Sequence, residues 1–328
     1  MCTCMALREN GFYFGRNMDM EDGFGERVVV VPRHLPFSFR MAGKIDRHYA
    51  MIGMAAVAEG YPLFADAMNE RGLCMAGLHF PGNAYYEEEP MTDRTNLAPF
   101  ELIPYLLGKC ATVEEAEEEL SRIRLVSLPF SEKLPLTPLH WFLADRERSI
   151  AIEPMRSGQL VFDDPAHVLT NNPPLSYHLA NLQQYGNLTD GPLLTHTPLG
   201  EFCIAPFGFG LGSVGLPGDY SSPSRFVKAA YLARTSVCPS NADEVTYVLQ
   251  MFRLLGAVAP PRGSVRNDRG ECHLTTYSCC MDVGRGAYFY TTESNLTPTA
   301  IRFSTFDLTR DTMVEFSLRK RPEIRYEK

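Results

Sequence analysis

The sequence predicts a layered α+β fold, in which blocks of strand and blocks of helix are segregated along the chain. Three observations predict it. The first third is dense in β-branched and apolar runs, the helices with clear start signals fall between blocks of strand, and two stretches read as β-hairpins.

In order, GFYFGRNMD (11–19) is a short β-prone run around Gly15. RVVVVPR (27–33) is a continuous β-branched run closed by Pro32, as expected of a strand covered on both faces. In HYAMIGMAAVAEGYPLFADAMNERGLCMAGLHF (48–80), Asn69–Gly72 forms a turn between two strands. Thr112 and Glu115 form a capping box that opens a helix with the stripe Val113, Ala116, Leu120 and Ile123. Ser222-Pro223 supplies the cap and first-turn proline for SRFVKAAYLA. Asn241, with Glu244 three residues on, opens a further helix striped by Val245, Val248, Leu249, Phe252 and Leu255. LHWFLAD pairs with SIAIEP in one hairpin, and YSCCMDV with AYFYTTES in another. No repeat, low-complexity tract or Gly/Ser linker divides the chain, so one domain is expected over 1–328.

Hydrophobic residues at 45%, charged residues at 21% and a net charge of −8 are ordinary globular values. Basic residues are scattered, which excludes a nucleic-acid footprint. No apolar window of membrane-spanning length exists, and no membrane association is expected. Nine cysteines, an odd number at irregular intervals from Cys2 through Cys203 to Cys280, are not a disulfide framework. They fit a reducing cytoplasm, most of them as small buried hydrophobes.

FGFGLGSVGLPGD (207–219) invites a phosphate-loop reading, but it lacks Lys-Ser/Thr after the glycines, and Pro217 falls where a helix should begin. Leu211 replaces the first glycine of a nucleophile elbow around Ser213. The eight histidines form no H-x-H or H-E-x-x-H, and no C-x-x-C exists, so neither a metal nor another cofactor is expected. Cys279 and Cys280 are adjacent in a strand and point to opposite faces, as packing residues do.

The remaining thiol is terminal. The chain begins MCTCMALRENGFYFGRNMDMED, and cysteine is small enough for the initiator methionine ahead of it to be removed. Cys2 would then carry both a nucleophile and its own base. An α-amine titrates at about 7.7–8.0 and a thiol at about 8.5, so the amine can take the thiol proton near neutrality. A cation favours thiolate, and Arg16 and Asp19 lie on the next strand, where a hairpin brings them beside Cys2.

M-C-T, F-G-R-N-M-D, AGLHFPG, VLTNNP and LPGDYSSPSRF, with PFELIPYLLG, SEKLPLTPLHW and YSCC, together resemble the choloylglycine hydrolases, which include bile salt hydrolases and penicillin V acylases. The resemblance runs nearly end to end. It implies the N-terminal-nucleophile hydrolase fold, an αββα four-layer sandwich of two stacked antiparallel sheets, and a homotetramer. It implies Cys2 as nucleophile with its amine as base, Arg16 and Asp19 as orienting groups, Asn171 as oxyanion-hole donor and Arg225 as a further site residue. His79 stands where bile salt hydrolases usually carry Asn and penicillin V acylases Tyr. Its backbone N–H would still serve the oxyanion, and Asn83 is a substitute donor.

The resemblance implies hydrolysis of conjugated bile acids without a cofactor. The acyl pocket would include Met18, Met20, Ala58, Phe64, Ala65, Phe130 and Leu139, and Leu211 would lie in a loop selecting the amine side of the substrate. Acylases for penicillin V or acyl-homoserine lactones use the same catalytic groups with another pocket. A sterol-binding or redox-sensing protein, with the thiol as sensor, is the non-enzymatic reading.

Overall fold

Consecutive valines in the strand Arg27–Val31 bury on opposite sides. Val28 and Val30 join a core between two sheets, whereas Val29 and Val31 join a second core beneath helices. Side chains alternate along a strand, so both faces are dry, as the unbroken β-branched run predicts. The computed structural model describes residues 1–192, 208–322, 324, 326 and 327. Cys203 and Phe207 lie outside the described residues.

One sheet has seven strands, in the order Val168–Leu169, Cys2–Leu7, Tyr13–Met20, Cys272–Asp282, Ala287–Thr292 and Asn295–Arg302, with Val265–Arg266 beside Cys272–Asp282. The second has eight: Gly158–Asp163, Ser149–Met155, Leu139–Ala144, Cys74–His79, Tyr61–Asn69, Met51–Ala58, Arg27–Val31 and Val314–Ser317. Neighbours in both are antiparallel. Helices α1 (Leu102–Lys109) and α2 (Val113–Leu120) pack outside the eight-stranded sheet. Helices α3 (Leu175–Leu182), α4 (Ser222–Thr235) and α5 (Glu244–Gly256) pack outside the seven-stranded one. The fold is therefore α+β with αββα layering, and both expected hairpins form.

Three helix boundaries differ from expectation. Helix α2 stops at Leu120, and Ile123 belongs to the short strand Ile123–Leu125. The cap of α5 is Asp243, which accepts from Thr246 N, and its buried stripe is Tyr247, Val248, Met251, Leu254 and Leu255, leaving Val245 and Leu249 exposed. The buried face is set by the strands that α5 packs against, Tyr13–Met20 and Cys272–Asp282. Ser221, not Ser222, caps α4, which frees the Ser222 hydroxyl for the site described below.

Two glycines set the site's framework. A Cβ on Gly15 would lie 2.6 Å from Met251 Sδ, so glycine lets α5 approach the strand that carries Arg16. Against Met51–Ala58, the strand Tyr61–Asn69 slips register: Met54 pairs with Asp66 and Ala55 with Phe64, leaving Ala65 as the extra residue of a bulge. Gly53 makes room for it, because a Cβ there would sit 2.1 Å from the Asp66 carbonyl oxygen.

Candidate active site

Cys2 opens the strand Cys2–Leu7 and pairs with Met18, which places Arg16 two positions along the neighbouring strand on the same face. Arg16 is fully buried. Its Nη2 donates to Cys2 Sγ at 3.2 Å and contacts Met18 Sδ at 3.5 Å, while Nη1 donates to the Ala65 carbonyl at 2.7 Å. That carbonyl is free because Ala65 is the bulged residue. Burial opposes the guanidinium charge, but Tyr277, Cys2, Cys4 and Asp66 around it raise its pKa well above the ordinary value. Cys4, two residues on, is sealed in the core, and burial pushes its thiol far up.

The Asp19 side chain lies on the other face of its strand. Oδ1 accepts from Thr275 Oγ1 at 2.6 Å, and buried Oδ2 has no partner. Backbone bonds pair Asp19 with Met1: the terminal amine donates to Asp19 O at 2.7 Å, and Asp19 N donates to Met1 O at 2.9 Å.

Asn171 reaches Cys2 from the loop after Val168–Leu169. Its Oδ1 accepts from Cys2 N at 2.7 Å and from Arg225 Nη2 at 2.8 Å, and its Nδ2 donates to the His79 carbonyl at 2.8 Å. Ser222 Oγ accepts from Asn171 N, and Asn171 O accepts from His178 Nε2, both at 2.9 Å. Buried Arg225 also donates to Cys2 O and Thr3 Oγ1 at 2.5 Å, tying α4 to the start of the strand Cys2–Leu7.

His79 pairs with Leu139 across its strand. Phe80 N bonds Pro138 O, and Leu139 N is held by Tyr86 Oη, so His79 and Leu139 form a non-hydrogen-bonded pair. The His79 N–H therefore points away from Leu139, to the side where its carbonyl meets Asn171. Asn171 thus links the end of the His79 strand to Cys2, one amide oxygen on Cys2 N and one amide nitrogen on His79 O. The imidazole is exposed, and partial desolvation and the positive amino terminus both lower its pKa. Asn83 follows in the turn after this strand, outside the hydrogen-bonded group.

Of the expected pocket residues, Met18 is in contact, with Sδ 3.8 Å from Cys2 Sγ. Ala65 touches the group through its carbonyl, and Leu139 through its pairing with His79. Met20 ends the Arg16 strand half-buried, and Ala58 lies near the turn to Tyr61. Phe130 packs with Tyr61 and Phe100 in an aromatic cluster, and Phe64 is buried in the outer core. Leu211 lies in a helical turn whose Gly212 carbonyl accepts from Thr189 N. None of Met20, Ala58, Phe64, Phe130 and Leu211 is hydrogen-bonded to the Cys2 group.

Asp66, Tyr277 and Tyr288 are further site residues with no motif to announce them. The Asp66 carboxylate lies between the sheets, 3.5 Å from Arg16 Nη1, and accepts from both phenols, at 2.6 Å and 2.7 Å. A lone acid inside the apolar stretch YPLFADAMN was the available signal. Among the described residues, no group of three or more His, Cys, Asp or Glu is placed to hold a metal ion. No helix of the described chain is long and apolar enough to cross a membrane.

A near-terminal thiol held by a buried arginine, with an asparagine on its backbone N–H and an αββα sandwich around it, defines a candidate N-terminal-nucleophile amide hydrolase. The model of the linear amide C–N hydrolases, choloylglycine hydrolase family, matches residues 2–315, and the chain belongs to that family. It is an amide hydrolase. It is 41% identical over 323 residues to a bile salt hydrolase/transferase of Lactiplantibacillus plantarum, covering 97% of both chains. It is 37% identical over 303 residues to a bile salt hydrolase/transferase of Clostridium perfringens, covering 90% of each. A crystal structure of a mutant conjugated bile acid hydrolase from Clostridium perfringens superposes with a TM-score of 0.91 at 33% identity, covering 100% of both chains. Penicillin V acylase from Agrobacterium tumefaciens, at 21% identity and a TM-score of 0.74 over 96% of this chain and 90% of its own, shares the fold.

Proposed function

We propose that the protein is a bile salt hydrolase, cleaving the amide that joins a steroid acid to glycine or taurine. The observation that carries this reading is the 3.2 Å approach of Arg16 Nη2 to Cys2 Sγ, with Asn171 bonded to Cys2 N. The names of the relatives supply the substrate class.

Removal of Met1 would free the Cys2 α-amine. Once protonated, that amine would have additional N–H groups to offer, and Asp19, whose backbone pairs with Met1, has a buried Oδ2 without a partner. The α-amine takes the thiol proton, and the thiolate attacks the amide carbonyl while Asn171 Nδ2–H and the His79 N–H stabilise the oxyanion. The carbon–nitrogen bond breaks, and glycine or taurine leaves with the ammonium proton. The steroid acyl group remains as a thioester on Cys2. Water, deprotonated by the α-amine, attacks the thioester, the carbon–sulfur bond breaks, and free bile acid leaves. Arg225 holds the Cys2 carbonyl and Asn171 in register through both steps.

On this reading residues 1–328 act as one catalytic domain, assembled as a homotetramer in a reducing cytoplasm. The eight described cysteines, all free, agree with that compartment. Intact mass and parallel hydrolysis of taurocholate, glycocholate and penicillin V test the proposal. Loss of Met1 with turnover of the bile salts is expected. Retained Met1 in active protein, or turnover of penicillin V alone, would overturn it.

A further inference from the structure

Arg16 is a buried cation that makes one short bond to oxygen, at the Ala65 carbonyl, and its Nε has no partner. A buried charge is retained only with compensation. Asp66 supplies it from the opposite sheet, and its carboxylate is divided with care. Oδ2 faces Arg16 Nη1 at 3.5 Å but takes its short bond, 2.6 Å, from Tyr277. Oδ1 takes the Tyr288 hydroxyl at 2.7 Å and lies 3.6 Å from Cys279 Sγ. Burial raises both phenols well above their ordinary pKa, so both remain donors. The result is an ion pair held apart, its anion occupied by hydroxyls and its cation still aimed at sulfur.

We propose that Asp66 is a positioning residue for the nucleophile: as the counter-ion of Arg16 it sets how much of the guanidinium charge falls on Cys2 Sγ, and Tyr277 tunes it by occupying the oxygen that faces Arg16. The inference rests on the reading of Cys2 as nucleophile. The charged and titratable groups around this centre are Cys4, Arg16 and Asp19 on the first hairpin, Asp66 opposite, Tyr277 and Cys279 on Cys272–Asp282, Tyr288 on the next strand, Arg225 on α4, and the amino terminus with exposed His79 beyond it. Of these, Asp66 and Tyr277 are placed to change how the Arg16 charge is balanced without a hydrogen bond to Cys2 Sγ. Removing the carboxylate leaves the thiolate as the nearest counter-ion of Arg16. Removing the Tyr277 hydroxyl frees Oδ2 to draw Arg16 toward itself. The two changes act on Cys2 with opposite signs.

The experiment is the rate of iodoacetamide alkylation of Cys2 against pH, read on the tryptic peptide ending at Arg8, with fragmentation to separate Cys2 from Cys4. It needs no bile salt, so its outcome is independent of the substrate proposed above. Asp66→Asn should lower the labelling midpoint by at least about one pH unit, the scale of a lost neighbouring charge. Tyr277→Phe should raise it by about half a unit, the smaller effect of a redirected hydrogen bond. A merely structural role predicts the reverse for Asp66→Asn, because a loosened Arg16 would move the midpoint up. A midpoint that stays or rises in Asp66→Asn, or stays or falls in Tyr277→Phe, overturns the proposal. Should Asp66→Asn not fold, Tyr277→Phe decides alone.

Discussion

The Arg16 guanidinium spans from Cys2 to the opposite sheet, with Nη2 3.2 Å from the sulfur and Nη1 2.7 Å from the carbonyl of the bulged Ala65. Cys2, the proposed nucleophile, is thus coupled to a feature 49 residues beyond Arg16. The roles of the surrounding groups can be separated by substitution.

Cys2→Ala should abolish amide hydrolysis without unfolding the protein, and Cys2→Ser should lose most of the rate, an alcohol being a weak nucleophile at neutral pH. Cys4 is sealed in the core with its thiol held protonated, so Cys4→Ala should keep activity at some cost in stability. Steady-state rates and far-UV circular dichroism on all three variants check this, and equal inactivation by Cys4→Ala would show that the wrong thiol was chosen.

Arg16→Leu strands a buried carboxylate. Breaking such a pair costs about 3–5 kcal/mol, so urea denaturation should show a loss of that order. The same variant should raise the pH at which iodoacetamide labels Cys2, since the cation beside sulfur is gone. Adding Asp66→Leu should recover stability but not activity. A double variant no more stable than Arg16→Leu would contradict the assignment of Asp66 as its counter-ion.

Asn171→Ala removes an amide donor of the proposed oxyanion site together with the acceptor of Cys2 N and Arg225. A fall in kcat of about 10²–10³ is the scale of one lost oxyanion donor, and the lost anchoring should add to it. Single-turnover measurements should place the loss in the chemical step. An effect confined to KM would assign Asn171 to substrate binding.

His178 is buried, and that burial lowers its pKa below the ordinary imidazole value. The folded state then binds fewer protons than the unfolded chain, so stability falls as pH drops below about 6.5, with a slope of up to about 1.4 kcal/mol per unit. His178→Gln can retain a donor for the Asn171 carbonyl without titrating, and should flatten the decline of Tm between pH 6.5 and 5 (roughly the range in which imidazole titrates). An unchanged slope would assign the acid sensitivity elsewhere.

Leu211→Arg should shift the ratio of kcat/KM for taurocholate and glycocholate toward glycocholate, from a wild type that favours taurine. Arginine clamps a planar carboxylate through two parallel hydrogen bonds, a geometry less suited to a tetrahedral sulfonate. The Leu211–Ser213 turn is anchored to Thr189, and Gly210 has φ of 78°, so the backbone can carry the new side chain without moving that glycine. A wild-type preference for glycocholate that survives the substitution would leave the loop with a turn-forming role alone.

By itself the sequence determined what depends on neighbours along the chain. The β-branched run Arg27–Val31, the hairpins and the terminal thiol were legible because alternation, turn residues and position are local properties. Arg16 was legible for the same reason, since a short hairpin fixes its register against Cys2, whereas the Asp19 side chain lies on the other face of that strand, on Thr275. Asn171 and Arg225 stand 169 and 223 residues from Cys2, and their place was anticipated through family resemblance, not through any periodicity. Only the tertiary structure decided the place of the Asp66 carboxylate. One residue's slip at Ala65, made possible by Gly53, releases a carbonyl and aims a carboxylate across the gap between two sheets. No local pattern encodes that, because the energy that selects it comes from satisfying a buried guanidinium whose partners come together only when both sheets are packed.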